Sequence, residues 1–176
     1  HITTFDGTAY DFMAAGDYIL AQEAQGDLLV VARQAPIGDS ISNNNATATR
    51  VGDVPVVIDA EASTPVSING EPVEIDSGER VPVDDGAGAI RRQGSTYTVY
   101  YAGEDGEVTT SDEHLTADVV GDRLDIELAL HPNRTQAVEG LFGSVSDQRT
   151  DIAFANGTAL TRPLDTDVLY GPYRAD

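Results

Sequence analysis

Leu124-Asp-Ile-Glu-Leu-Ala-Leu130 decides the fold class, because its large apolar residues recur at every second position. A period of two sends Leu124, Ile126, Leu128 and Leu130 to one face of an extended chain, and Asp125, Glu127 and Ala129 to the other. Gly121-Asp122 stands just before the run and supplies the backbone freedom of a tight hairpin. Moving outward, Thr96-Tyr-Thr-Val-Tyr-Tyr101 is rich in β-branched and aromatic residues, the side chains that fit a pleated surface. Tyr18-Ile-Leu-Ala21 and Leu28-Leu-Val-Val-Ala32 read as strands paired across Gln25-Gly26-Asp27. Further turn pairs are Asn69-Gly70, Asp85-Gly86, Asp105-Gly106 and Asn156-Gly157. No long stretch carries a helical period. Short strands punctuated by hairpin chemistry predict an all-β protein, a sandwich or a barrel. Asp39-Ser-Ile-Ser-Asn-Asn-Asn-Ala46 is a polar low-complexity patch and is expected to be an exposed loop.

A length of 176 residues suits one domain with a core of its own, so a single domain over residues 1–176 is expected. Trp is absent and aromatics make up 6%, which leaves Val, Ile, Leu and Ala to fill that core. No apolar run is long enough to span a membrane as a helix, and no leader-like segment is visible. The net charge is −20, from 30 acidic and 10 basic residues, and every basic residue is Arg. Phosphate recognition needs clustered cations, and Arg91-Arg92 is an isolated pair, so nucleic acid and anionic membranes are excluded as partners. The acidity serves solubility and attracts divalent cations diffusely. There is no cysteine, which rules out disulfide linkage and any disulfide-joined multimer.

Catalytic motifs are sparse. Gly143-Ser-Val-Ser146 lacks the closing glycine of a nucleophile elbow. Asp85-Gly-Ala-Gly88 has no following Lys or helix and is not a phosphate loop. His1, His114 and His131 are scattered without i+2 or i+4 partners, a spacing that argues against zinc. A carboxylate pair for glycan processing is conceivable among so many acids, and such a cleft would set two carboxylates beside Tyr97, Tyr100 or Tyr101. The absence of Trp removes the usual sugar-stacking platform.

Two segments carry a more specific signal. His1-Ile-Thr-Thr-Phe-Asp-Gly-Thr-Ala-Tyr-Asp-Phe12 places Asp6-Gly7, a turn pair, among aromatic residues. Glu139-Gly-Leu-Phe-Gly-Ser-Val-Ser-Asp-Gln-Arg-Thr-Asp-Ile152 sets Asp147 and Asp151 four residues apart in a polar loop. Carboxylates on two such segments repel each other unless a cation lies between them, and calcium takes oxygen ligands of this kind.

The same segments resemble the two ends of a von Willebrand factor type D domain. His1, Thr4, Phe5, Asp6, Gly7, Tyr10 and Phe12 match its opening pattern, and Gly140, Leu141, Gly143, Asp151 and Ile152 match its closing frame. Val31-Ala-Arg-Gln-Ala-Pro-Ile37 and Leu169-Tyr-Gly-Pro172 resemble bacterial members. Animal members are rich in disulfides, and Phe142 stands where they carry a cysteine. The resemblance implies two packed antiparallel sheets joined by hairpins, and a module excised from a larger chain. It implies a calcium site carried onto Asp6, Ser146, Asp147, Arg149 (through its carbonyl) and Asp151. Relative to the family, this loop is one residue shorter, and Ser144, Ser146 and Thr150 replace amide or carboxylate residues. The resemblance also implies a non-enzymatic structural or adhesion module, secreted or surface-attached, working through protein partners or self-assembly. Asn45-Ala-Thr47, Asn133-Arg-Thr135 and Asn156-Gly-Thr158 spell glycosylation acceptors, which in a bacterial protein are coincidental.

Overall fold

A computed structural model describes residues 2–5, 7, 9–10, 12–23, 26, 28–38, 41–103, 106–131, 134 and 138–143. Among them the strands are β1 (Ile2–Thr3), β2 (Ala9–Tyr10), β3 (Gly16–Glu23), β4 (Leu29–Pro36), β5 (Ser42–Val51), β6 (Val54–Asp59) and β7 (Val66–Ile68). They continue with β8 (Glu71–Pro72), β9 (Arg80–Val83), β10 (Gly88–Gln93), β11 (Thr96–Tyr101), β12 (His114–Val120), β13 (Arg123–Ala129) and β14 (Val138–Glu139). Among the described residues the one helical turn is a 3-10 segment, Asp84–Gly86. The chain is therefore all-β, with packed antiparallel sheets, as its alternating pattern predicts. It divides into two compact units, His1–Asn43 with Pro132–Asp176, and Asn44–His131.

In the Asn44–His131 unit, β9 to β13 form a five-stranded antiparallel sheet in the order β13-β12-β11-β10-β9. The hairpin between β12 and β13 turns on Gly121 and Asp122, with Val120 opposite Arg123. Gly121 has φ +68°, the value a first central glycine supplies in a tight hairpin. Leu124 and Leu128 are buried while Arg123, Asp125 and Glu127 are exposed, so the period of two does set the faces. The second sheet of this unit runs β5-β6-β7-β8. Its inward residues Val51, Val56, Ile58 and Val66 are buried, as are Ile90, Val99, Leu115 and Leu124 of the five-stranded sheet. Each such side chain contributes about 1.5–3 kcal/mol on leaving water. The sheets touch where the Thr49 and Tyr101 hydroxyls meet at 2.7 Å. They approach so closely at Gly88 that a Cβ there would lie 2.4 Å from Val51 Cγ1.

One expectation fails here. Residues 39 and 40 of the polar patch lie outside the described residues, but from Ser42 onward the patch is the strand β5, with Ser42 and Asn45 buried. Asn and Ser favour turns because their side chains compete for backbone hydrogen bonds. In β5 the backbone is held instead by an antiparallel ladder to β6 running from Ala46↔Asp59 to Val51↔Val54. The Asn45 amide nitrogen donates to Glu61 Oε2 at 2.7 Å, which also makes it a poor glycan acceptor.

In the other unit, β3 and β4 pair antiparallel and β14 lies on the far side of β3. The β3–β4 register slips between Ile19 and Ala21, which inserts Leu20 as an extra residue, a β-bulge. Phe12 and Tyr18 pack edge to face at 4.8 Å beside this pair. β1 and β2 form a small hairpin, Ile2 opposite Tyr10 and Thr3 opposite Ala9.

Candidate functional site

The two motif segments meet at the bulge of β3. Gly140 lies against the backbone of Leu20, so closely that a Cβ at this position would be 2.5 Å from the Leu20 carbonyl oxygen and 2.7 Å from its carbonyl carbon. Its φ of +137° is also closed to other residues. Only glycine fits, which gives the first position of Gly140-Leu-Phe-Gly143 a physical reason. The bulge supplies two successive acceptors: Ile19 O takes the Leu141 N–H at 3.1 Å and Leu20 O takes the Phe142 N–H at 2.9 Å. Leu141, fully buried, fills the core beneath. The Gly143 N–H donates back to Gly140 O at 3.0 Å, closing a turn that begins the acidic loop.

The N-terminal segment closes on the other side. Phe5 N–H donates to Phe142 O at 3.0 Å, and the Tyr10 hydroxyl donates to Leu141 O at 2.5 Å. The rings of Phe5 and Phe142 meet edge to face, 5.8 Å apart. Phe142 thus packs an aromatic ring against the N-terminal segment. Gly7 N–H donates to Thr4 O at 2.9 Å and closes a turn from Thr4 to Gly7. Phe5, the residue before Asp6, is therefore fixed against Phe142, which precedes the 144–151 stretch in sequence.

Asp6, Ser146, Asp147, Arg149 and Asp151 themselves lie outside the described residues, as does His1. Chemically the five form an all-oxygen donor set, three carboxylates, a hydroxyl and a carbonyl, which suits a hard cation such as calcium. Among the described residues, no group of three or more His, Cys, Asp or Glu side chains could hold a metal.

A second tie secures β3. Arg134 grips Glu23 with one edge of its guanidinium, Nε to Oε1 at 2.6 Å and Nη2 to Oε2 at 2.9 Å. These hydrogen bonds hold the Glu23 carboxyl below its usual range, against the opposing effect of burial. The Gln22 amide donates to Glu139 Oε1 at 2.7 Å on the same strand pair. Sequence reading missed both the bulge and this ion pair. The Gly140 motif was the available signal for the bulge, since an obligatory glycine marks a close backbone approach.

The remaining candidates are placed as structural residues. His114 Nδ1 lies 2.7 Å from Asp112 O and its ring tilts against Tyr100 at 5.7 Å. The His131 N–H donates to Glu113 Oε1 at 2.8 Å. Tyr97, Tyr100 and Tyr101 are all buried, Tyr97 beneath Arg92 and Tyr100 beneath Arg80, so none offers an open stacking platform for a sugar. No helix among the described residues is long and apolar enough to cross a membrane. Against known proteins, the family described as von Willebrand factor type D domain matches residues 1–158. No curated protein matches the chain.

Proposed function

The chain belongs to the von Willebrand factor type D family, and from that premise we propose that it is a non-catalytic assembly module whose two motif segments are clamped together by calcium. Domains of this family occur in extracellular proteins and mediate protein–protein contacts, so the proposed setting is a larger secreted or surface-attached protein. The observation that carries the reading is the Phe5–Phe142 junction, a 3.0 Å backbone hydrogen bond that adjoins Asp6 on one side and the Gly143 turn on the other. Calcium, when bound, supplies the positive charge that lets Asp6, Asp147 and Asp151 converge. The chain's own part is positional. Gly140 seats the segment on the β3 bulge, Tyr10 and Phe5 fasten the N-terminal hairpin to it, and Gly143 starts the loop. Because the unfolded chain has no such site, cation affinity becomes folding free energy.

The test is a thermal melt in excess chelator and again in millimolar calcium, with magnesium as the control. A calcium-specific rise in Tm is expected, and Asp6→Asn should remove most of it. Equal shifts with calcium and magnesium, or a full shift in Asp6→Asn, would show that the cation acts elsewhere.

A further inference from the structure

The edges of the described sheets are unequal. β8 and β14 are two residues long, β8 contains Pro72, and β9 is four residues long and contains Pro82. Short strands and prolines are the usual devices that stop one sheet edge from recruiting another chain. β13 has neither. It runs seven residues with no proline or glycine, its register with β12 is unbroken from His114↔Ala129 to Val120↔Arg123, and among the described residues no strand pairs with its other side.

Its hydrogen-bonding pattern follows from the turn. A two-residue hairpin loop makes its flanking residues, Val120 and Arg123, a hydrogen-bonded pair. Arg123, Asp125, Glu127 and Ala129 therefore direct their backbone groups at β12, while the N–H and C=O groups of Leu124, Ile126 and Leu128 point outward. We propose that this edge joins a second copy of the chain, antiparallel, with the two-fold axis at Asp125. The proposal rests on the assembly reading above and names its partner.

Charge favours that register over the neighbouring one centred on Ile126. A two-fold at Ile126 would match Leu124 with Leu128 but set Asp125 against Glu127 twice. A two-fold at Asp125 matches Leu124 with Ile126 twice, giving four backbone hydrogen bonds, and sets Arg123 against Glu127 twice. Charged pairs at these non-hydrogen-bonded positions sit closest of all cross-strand pairs, so their signs count. The one like-charge contact, Asp125 with its copy, is tempered because each Asp125 carboxylate already has Arg123 Nη2 at 3.6 Å. Ile126, partly exposed at this edge, is covered by the neighbouring strand.

Sedimentation velocity over a micromolar to millimolar concentration series tests this, in moderate salt to screen the −20 net charge of each chain. A monomer–dimer equilibrium is expected. Arg123→Glu and Glu127→Arg should each weaken it by about tenfold or more, and the double swap should restore it. All three positions are exposed, so the variants keep the fold. The register has its own test, because the chain has no other cysteine: Asp125→Cys should oxidise to a disulfide-linked dimer, while Glu127→Cys should not. A monomer at every concentration, single reversals without effect, a double swap that stays dissociated, or cross-linking through position 127 would each overturn the proposal. None of these outcomes touches calcium-dependent melting, so the two readings fail separately.

Discussion

Gly140→Ala should be among the most damaging single methyl additions this chain can suffer. Two independent costs arise at one atom. The φ of +137° lies in a region that only glycine occupies readily, and holding alanine there costs about 1–3 kcal/mol. The new Cβ would also lie 2.5 Å from Leu20 O and 2.9 Å from Ala21 N, both backbone atoms that no rotamer change can move aside. Relief requires the 140–142 segment to lift from β3, which stretches the Leu141 N–H to Ile19 O and Phe142 N–H to Leu20 O bonds. Losing even part of two buried bonds adds about 1–2 kcal/mol. The sum, about 2–5 kcal/mol, is a large share of a domain's ordinary stability. Urea unfolding monitored by circular dichroism gives the comparison, with Gly143→Ala as the control. Gly143 has φ +70°, an ordinary left-handed turn value, and its replacement should cost only about 1 kcal/mol. Because the 140–143 turn leads into the proposed calcium-binding segment, Gly140→Ala should also blunt the calcium-dependent rise in Tm. A Gly140→Ala protein within 1 kcal/mol of the parent would refute the close-approach account of the motif.

Two further outcomes follow from single contacts. Glu23→Gln should cost about 1–2 kcal/mol at neutral pH, allowing for the partial exposure of its pair with Arg134. The folded carboxyl titrates below its unfolded value of 4.5, so the pair's contribution is present above that pH and lost as pH falls through the folded value. Parent and variant stabilities measured by urea unfolding should therefore converge in acid; a gap that persists unchanged would mean the ion pair is not its source. Asn45→Asp replaces a donor by a carboxylate oxygen 2.7 Å from Glu61 Oε2, and should cost about 2–3 kcal/mol at neutral pH. This loss should shrink as acid protonates the new pair, and a pH-independent loss would point to shape rather than charge.

The strands with alternating or β-branched sequence were legible, and β11 and β13 fall where Thr96–Tyr101 and Leu124–Leu130 predict. β5 was not, because its inward positions Asn45, Thr47 and Thr49 invert the usual polarity. Residues that read as loop can line a sandwich interior when other elements supply their partners, as Glu61 does for Asn45 and Tyr101 for Thr49. Composition carries no record of such distant partners. At the candidate site the reverse holds. Gly140, Leu141 and Gly143 were legible as a motif, but their reason lies in the bulge at Leu20, over a hundred positions away in the chain. Nothing in Tyr18-Ile-Leu-Ala21 announces a bulge, since the run holds no glycine or turn residue that would mark one.

The acidity of the chain makes calcium easy to misread, and the charge arithmetic separates the cases. With 30 acidic residues against 10 basic ones, any divalent cation relieves general repulsion and raises Tm somewhat. That diffuse effect scales with net charge. Asp6→Asn changes the net charge only from −20 to −19, so a diffuse mechanism predicts a calcium shift almost equal to the parent's. A shared site predicts the opposite, because losing one carboxylate from an all-oxygen set costs affinity out of proportion to its share of the total charge. Glu71→Gln, at an exposed position of β8, removes the same single charge far from the motif in sequence and completes the comparison. If both variants keep the parent's calcium shift, the cation acts on the surface as a whole. If only Asp6→Asn loses it, the calcium is bound where Phe5 meets Phe142.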